Sequence, residues 1–101
     1  MGIREEAYFL VRQIPRGSVS TYGEVARALG NRKAARAVGM LMRSNPDPVE
    51  MPCHRVVRSN GEVGGYNQGI ERKIRLLRSE GVGIVDGRVV DFRRVLFTGF
   101  R

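Results

Sequence analysis

One cysteine, one histidine and no tryptophan occur in these 101 residues. A lone cysteine, Cys53, excludes an intramolecular disulfide. One Cys and one His cannot supply the four ligands of a structural zinc site, so no metal and no cofactor are expected. No run of eighteen apolar residues exists, and the opening Met1-Gly2-Ile3-Arg4-Glu5-Glu6 lacks the apolar stretch of a signal peptide. The pattern for acylation at Gly2 also fails, because Glu6 stands where a serine or threonine is needed. A free thiol fits a reducing compartment, so the expected location is cytoplasmic, nuclear or nucleoid-associated, with no secretion and no membrane partner. There is no internal repeat, low-complexity tract or linker. Acidic side chains are few, 10 against 18 basic ones, which leaves a net charge of +8.

Apart from Lys33 and Lys73, all of the basic side chains are arginine. Arginine pairs bidentately with phosphate, and neutralising a polyanion releases its counterions, so nucleic acid is the expected partner. The length is that of one domain with a modest core. Ile3, Ala7, Leu10, Val11 and Ile14 recur on one helical face, ended by Pro15-Arg16-Gly17. Thr21 and Glu24 have capping-box spacing and open a second helix with Val25, Ala26 and Leu29 inward, closed by Gly30. Asn31 can cap a third helix from about Arg32 to Arg43, and Asn45-Pro46-Asp47-Pro48 forces a loop after it. Two short helices joined across a glycine read as a helix-turn-helix. Val56-Val57-Arg58 and Glu62-Val63 around Ser59-Asn60-Gly61 predict a tight hairpin. A helix from about Gly69 to Glu80 follows, with Ile70, Ile74 and Leu77 inward, stopped by Gly81. Ile84-Val85 and Arg88-Val89-Val90 around Asp86-Gly87 predict a second hairpin, and the last ten residues carry no clear pattern. The expected fold from these elements is mainly α with small β-hairpins around a helix-turn-helix.

Along the third helix, Arg32, Arg36, Gly39 and Arg43 fall in one stripe, with small Ala35 beside it. Ala34, Ala37, Val38 and Leu41 lie opposite as core candidates. Glycine inside a helix costs about 1 kcal/mol relative to alanine, so Gly39 needs a compensating close approach. A groove wall or a packed neighbouring helix supplies one. Cys53 stands beside His54 in Pro52-Cys53-His54-Arg55-Val56, and a lone thiol is either a small buried hydrophobe or a nucleophile.

The string Pro52-Cys53-His54-Arg55-Val56-Val57 is followed by Gly61, Gly64, Tyr66, Gly69, Lys73, Leu76-Leu77 and Glu80-Gly81. Upstream come Gly17-Ser18-Val19-Ser20-Thr21-Tyr22-Gly23, Ala34-Ala35-Arg36-Ala37-Val38-Gly39 and Asn45-Pro46. In this order the chain resembles the O6-alkylguanine-DNA alkyltransferases, the methylated-DNA–protein-cysteine methyltransferases, over roughly residues 4–82. The resemblance implies a winged-helix-like catalytic domain spanning 1–101, with no N-terminal domain and no zinc. It also implies double-stranded DNA carrying O6-alkylguanine as the partner, bound through the minor groove by a monomer.

Transfer of an alkyl group from guanine O6 to sulfur is displacement at saturated carbon. It needs a thiolate and a neutralised leaving oxygen. By resemblance Cys53 is the nucleophile, His54 accepts its proton through a bridging water, and Glu80 orients His54. A carboxylate in the last turn of a helix opposes the helix dipole, which independently singles out Glu80. Tyr22 is implied to supply a hydroxyl to the guanine, and Asn45 an orienting hydrogen bond near the thiol; on residue type alone Tyr22 is a hydrophobic anchor and Asn45 a turn residue. Arg36 matches the side chain that fills the stack once the nucleotide is extruded. Thr21, Ala35, Gly39, Arg32 and Arg43 complete the DNA-binding set. Val63, Gly64, Gly65, Tyr66, Asn67 and Met42 are implied to form the base pocket, although the two glycines also suit a plain turn. For Lys73 an ion pair and a solvated charge remain open. With no second thiol to regenerate Cys53, the transfer is expected to occur once per molecule. The competing readings are an alkyltransferase-like lesion sensor that recruits other repair factors, whose members typically lack the cysteine, and a basic winged-helix regulator with Cys53 in packing only.

Overall fold

Two residues of parallel strand tie the two halves of this chain together. In the computed structural model, which describes residues 2–44 and 51–101, Ser20–Thr21 (β1) pairs in parallel with Val56–Val57 (β2), Ser20 opposite Val56 and Thr21 opposite Val57. Successive strand residues point to opposite faces. Val56 therefore enters one apolar cluster, and Val57 enters another.

The first cluster is built by three helices: Ile3–Val11 (α1), Tyr22–Ala28 (α2) and Ala35–Arg43 (α3). Ala7, Leu10, Val11, Ile14, Val25, Ala26, Val38 and Met42 are buried there beside Met51 and Cys53. The expected α2 cap is present: Thr21 Oγ1 accepts from the Glu24 amide at 2.9 Å. The second cluster lies under Ile70–Ser79 (α4) and joins Val19, Val57, Val63, Leu77, Val82, Ile84, Val89 and Val95. Burying each such valine stabilises by roughly 1.5–3 kcal/mol. Ile84–Val85 (β3) and Arg88–Val89 (β4) form the antiparallel hairpin expected around Asp86-Gly87.

Several expectations are corrected. Asn31 caps a 3-10 turn at Arg32–Ala34, and α3 starts only at Ala35. The Asn60-Gly61 turn forms, with Arg58 donating to the Glu62 carbonyl, but Val56–Val57 does not pair with Glu62-Val63. Instead β2 takes β1 as partner, Glu62 bridges Arg88 in antiparallel fashion, and the Val63 amide donates to Gly87. A local turn reverses the chain, but distant strands supply the ladder. Ile3 and Ile70 are about half exposed, and Ala37 is exposed, because the buried face of α3 centres on Val38 and Met42. The unassigned last residues contain Phe92–Val95 (α5) and a return strand bridge, Val19 to Leu96, with Phe97 and Phe100 against the first cluster. Among the described residues, no helix is long and apolar enough to cross a membrane.

Candidate active site and nucleic-acid interface

Pro52 has φ −77° and ψ 62°, an inverse γ-turn in which the Cys53 amide donates to the Met51 carbonyl at 2.8 Å. The 3-10 turn Cys53–Arg55 follows directly, so thiol, imidazole and guanidinium leave one tight turn in different directions. The β1–β2 pairing sets Tyr22, the first residue of α2, beside that turn, and α4 packs against it. Tyr22 and Lys73, 51 positions apart, thus meet beside Cys53, which is 2% exposed.

Behind the thiol, His54 Nε2 lies 3.1 Å from Glu80 Oε2, and both side chains are buried. The approach is close enough for a charge pair but is not aligned as a linear hydrogen bond. Arg55 completes the arrangement. Its Nε donates to Glu80 Oε1 at 2.9 Å, Nη2 to Oε2 at 2.7 Å, and Nη1 to the Ile14 carbonyl at 2.9 Å. Burial works to raise the Glu80 pKa, but the Arg55 hydrogen bonds and His54 together hold it below the usual carboxylate value. Burial also pushes His54 down, reinforced by Arg55 and Lys73, while Glu80 pulls it up; the net shift is downward. The imidazole is accordingly neutral near pH 7 and able to accept a proton. Glu80 itself is the C-cap of α4 rather than a member of its last turn.

Lys73 is neither the ion pair nor the solvated charge left open above. It is 0% exposed, and its Nζ donates to the carbonyls of Val56 (2.8 Å) and Gly65 (3.1 Å) and to Tyr22 Oη (3.5 Å). Desolvation lowers its pKa to about 8, offset in part by Cys53. Tyr22 is pushed up by burial and then by Cys53, so it remains a phenol and a donor. Tyr66 is raised in the same way, by burial first and then by Cys53. Arg55 and Lys73 are the site groups for which sequence reasoning had no role. Their only signal was adjacency to the Cys-His pair and position two turns before Glu80.

The thiol lines a narrow crevice together with Tyr22, Met42, Arg43, Gly65, Tyr66 and Asn67. This opens beside a groove of about 700 Å³ between α3 and the β3–β4 side of the molecule. Ala35, Arg36, Gly39 and Arg43 line one side of the groove; Val63, Gly64 and Gly65 line the other. Gly64 has φ 72°, and a Cβ there would approach Arg58 Cγ at 3.3 Å and Tyr22 Oη at 3.5 Å. Gly39 differs: a Cβ there would meet only Tyr22 Cδ1 at 3.9 Å, so packing within the chain does not require a glycine. Arg32 leaves the stripe. The 3-10 turn places it at a separate surface pocket with Thr21, Gly23 and Arg27, where Thr21 Oγ1 accepts from the Glu24 amide. Asn45 lies outside the described residues. Among the described residues no group of three His, Cys, Asp or Glu could hold a metal ion.

Comparison with known proteins places this geometry. The family described as 6-O-methylguanine DNA methyltransferase, DNA binding domain, matches residues 2–82. A bifunctional methyltransferase/endonuclease of Picrophilus torridus is 48% identical over 93 residues, 92% of this chain and 31% of that protein. A methylated-DNA–protein-cysteine methyltransferase of Methanosarcina acetivorans is 46% identical over 71 residues, 70% of this chain and 46% of that protein. The chain thus spans about a third to a half of the length of these curated relatives. S. pombe Atl1, solved in complex with damaged DNA containing O6-carboxymethylguanine, superposes with a TM-score of 0.84 at 33% identity over 93% of both chains. With a motif-bearing turn, a helix-turn-helix and a family match over four-fifths of its length, the chain belongs to the 6-O-methylguanine DNA methyltransferase family and carries its DNA-binding domain.

Proposed function

We propose that the protein repairs O6-alkylguanine in DNA by taking the alkyl group onto Cys53 in a single turnover. The observation that carries this is the convergence of a buried thiol, a neutral imidazole and a clamped carboxylate beside a basic groove. In this reading α3 enters the minor groove, Arg36 takes the place of the extruded nucleotide, and the base moves past Gly64-Gly65 into the cleft. Cys53 gives its proton through a bridging water to His54, whose positive charge Glu80 then stabilises. The thiolate attacks the alkyl carbon, and the carbon–O6 bond breaks. Tyr22 donates its phenolic proton to the departing guanine, so the base leaves neutral. Gly39 and Ala35 leave room for close approach of the DNA backbone, which suits a helix glycine that nothing within the chain demands. The thioether has no route back to a thiol, so each molecule acts once.

The likeness to Atl1 over nearly its full length supports a second reading, a lesion-binding protein that recruits other repair factors. One experiment separates the two. The protein is incubated with an O6-methylguanine duplex, and the Cys53 peptide is weighed by mass spectrometry. One added methyl per molecule, absent in Cys53→Ala, is the expected result; tight lesion binding with unmodified Cys53 would establish the second reading instead.

A further inference from the structure

The groove wall opposite α3 carries charges that alkyl transfer does not use. Arg58 and Arg88 stand there with Glu62 between them. Arg58 Nη1 is 3.7 Å from Glu62 Oε2, and Arg88 Nη2 is 3.2 Å from Glu62 Oε1. Arg88 Nη1 also donates to the Asn60 carbonyl at 3.0 Å, and Asn60 Nδ2 donates to Glu62 Oε1 at 2.9 Å. Arg36 and Arg43 line the other side, so four guanidinium groups face two carboxylates, Glu62 and Asp86, across one groove. Arg88 belongs to the β3–β4 hairpin, beyond the residues 2–82 that define the family. The hairpin is turned by Asp86 (φ 51°) and Gly87 (φ 73°), whose Gly87 carbonyl accepts from the Val63 amide at 2.9 Å. Arg88 is therefore fixed to the pocket wall by backbone pairing and does not float on a tail.

We propose that Arg58 and Arg88 form a phosphate-binding wall for the DNA strand carrying the extruded nucleotide, with Glu62 holding that wall in the free protein. The proposal rests on the reading of this groove as the DNA interface. The chemistry favours exchange. Glu62 shares one carboxylate between two exposed guanidinium groups, and such surface pairs contribute little to stability. A phosphodiester offers oxygens that both guanidinium groups can take bidentately, and its binding releases counterions that the internal pair does not. Glu62 then opposes the incoming phosphate by like charge. It keeps the two arginines arrayed in the free state while lowering affinity for DNA that does not reach deep into the groove.

The test measures affinity for an O6-methylguanine duplex against salt concentration, in the Cys53→Ala background so that no transfer occurs. Arg88→Ala is expected to lower the slope of log affinity against log salt by about 1, making the loss between 50 and 200 mM salt roughly three- to four-fold smaller. Arg88→Lys should keep the slope, and Glu62→Gln should tighten binding several-fold at low salt. An unchanged slope in Arg88→Ala, with only a lowered melting temperature, would reduce Arg88 to a staple of the hairpin and overturn the wall. Equal or weaker binding by Glu62→Gln would overturn the exchange. Labelling of wild-type Cys53 by free O6-benzylguanine reports on the thiol chemistry separately, so failure of that reading is distinguishable from failure of this one.

Discussion

Glu80 is the carboxylate on which the thiol's surroundings depend, because Arg55 and His54 both use it. Glu80→Gln leaves the Arg55 guanidinium without its counter-charge, a change that costs about 3 kcal/mol in buried pairs and reads directly as a lowered melting temperature. The same substitution should slow Cys53 alkylation at least about ten-fold by removing support for the imidazolium. Since Glu80 pulls the His54 pKa upward, its loss should move the acid limb of the rate profile to still lower pH. Both groups have folded pKa values below their ordinary ones. Their contribution to stability is full above about pH 6.5 for His54 and about 4.5 for Glu80, and is lost as pH falls below each. Lys73 is depressed from 10.5 to about 8, so stability should rise between those two pH values, by up to roughly 3 kcal/mol. Lys73→Met should flatten that rise in a pH series of chemical denaturation; a rise that persists would assign it to another group. Cys53 and His54 were legible as a candidate pair from their adjacency, and Tyr22 only through the family resemblance. Lys73 was not, because its burial arises from the β2 carbonyl of Val56 and the loop carbonyl of Gly65, groups that sequence alone does not bring to it.

Helix α3 shows how local pattern and packing divide the result. Its arginine stripe was readable by spacing, and Arg36, Gly39 and Arg43 do share the groove. Arg32 does not, since three residues per turn in the 3-10 segment rotate it away. Gly39→Ala should stabilise the fold by about 1 kcal/mol, because an added methyl meets nothing closer than 3.9 Å. It should nonetheless weaken binding to lesion duplex; a more stable protein with unchanged affinity would separate Gly39 from the interface. The first hairpin teaches the complementary lesson. Asn60-Gly61 specified a reversal, but beyond the Arg58–Glu62 pair the ladder went to the strand the tertiary fold presented.

Across the molecule, the C-terminal segment closes the structure. The Val19 amide donates to the Val95 carbonyl at 2.9 Å, the Phe97 amide to the Val19 carbonyl at 2.7 Å, and Ser20 Oγ to the Phe97 carbonyl at 2.8 Å. Phe97 and Phe100 meet edge to face, 5.0 Å between centroids, against the three-helix cluster. Removal of residues 91–101 strips the β1 edge that positions Tyr22 and should cost at least about 3 kcal/mol, measured by denaturant unfolding. An unchanged midpoint would show that this segment is dispensable.

The approximate helix positions, the Thr21 cap, the turn at Asp86-Gly87 and the Pro52–Val56 motif are read from neighbours within a few residues, where backbone preference and side-chain period act. The β1–β2 pairing, the Arg55 clamp on Glu80, the burial of Lys73 and the Arg58–Glu62–Arg88 wall each join residues far apart in the chain. Burial and desolvation belong to the assembled core, and they turn an ordinary lysine and glutamate into components of a site.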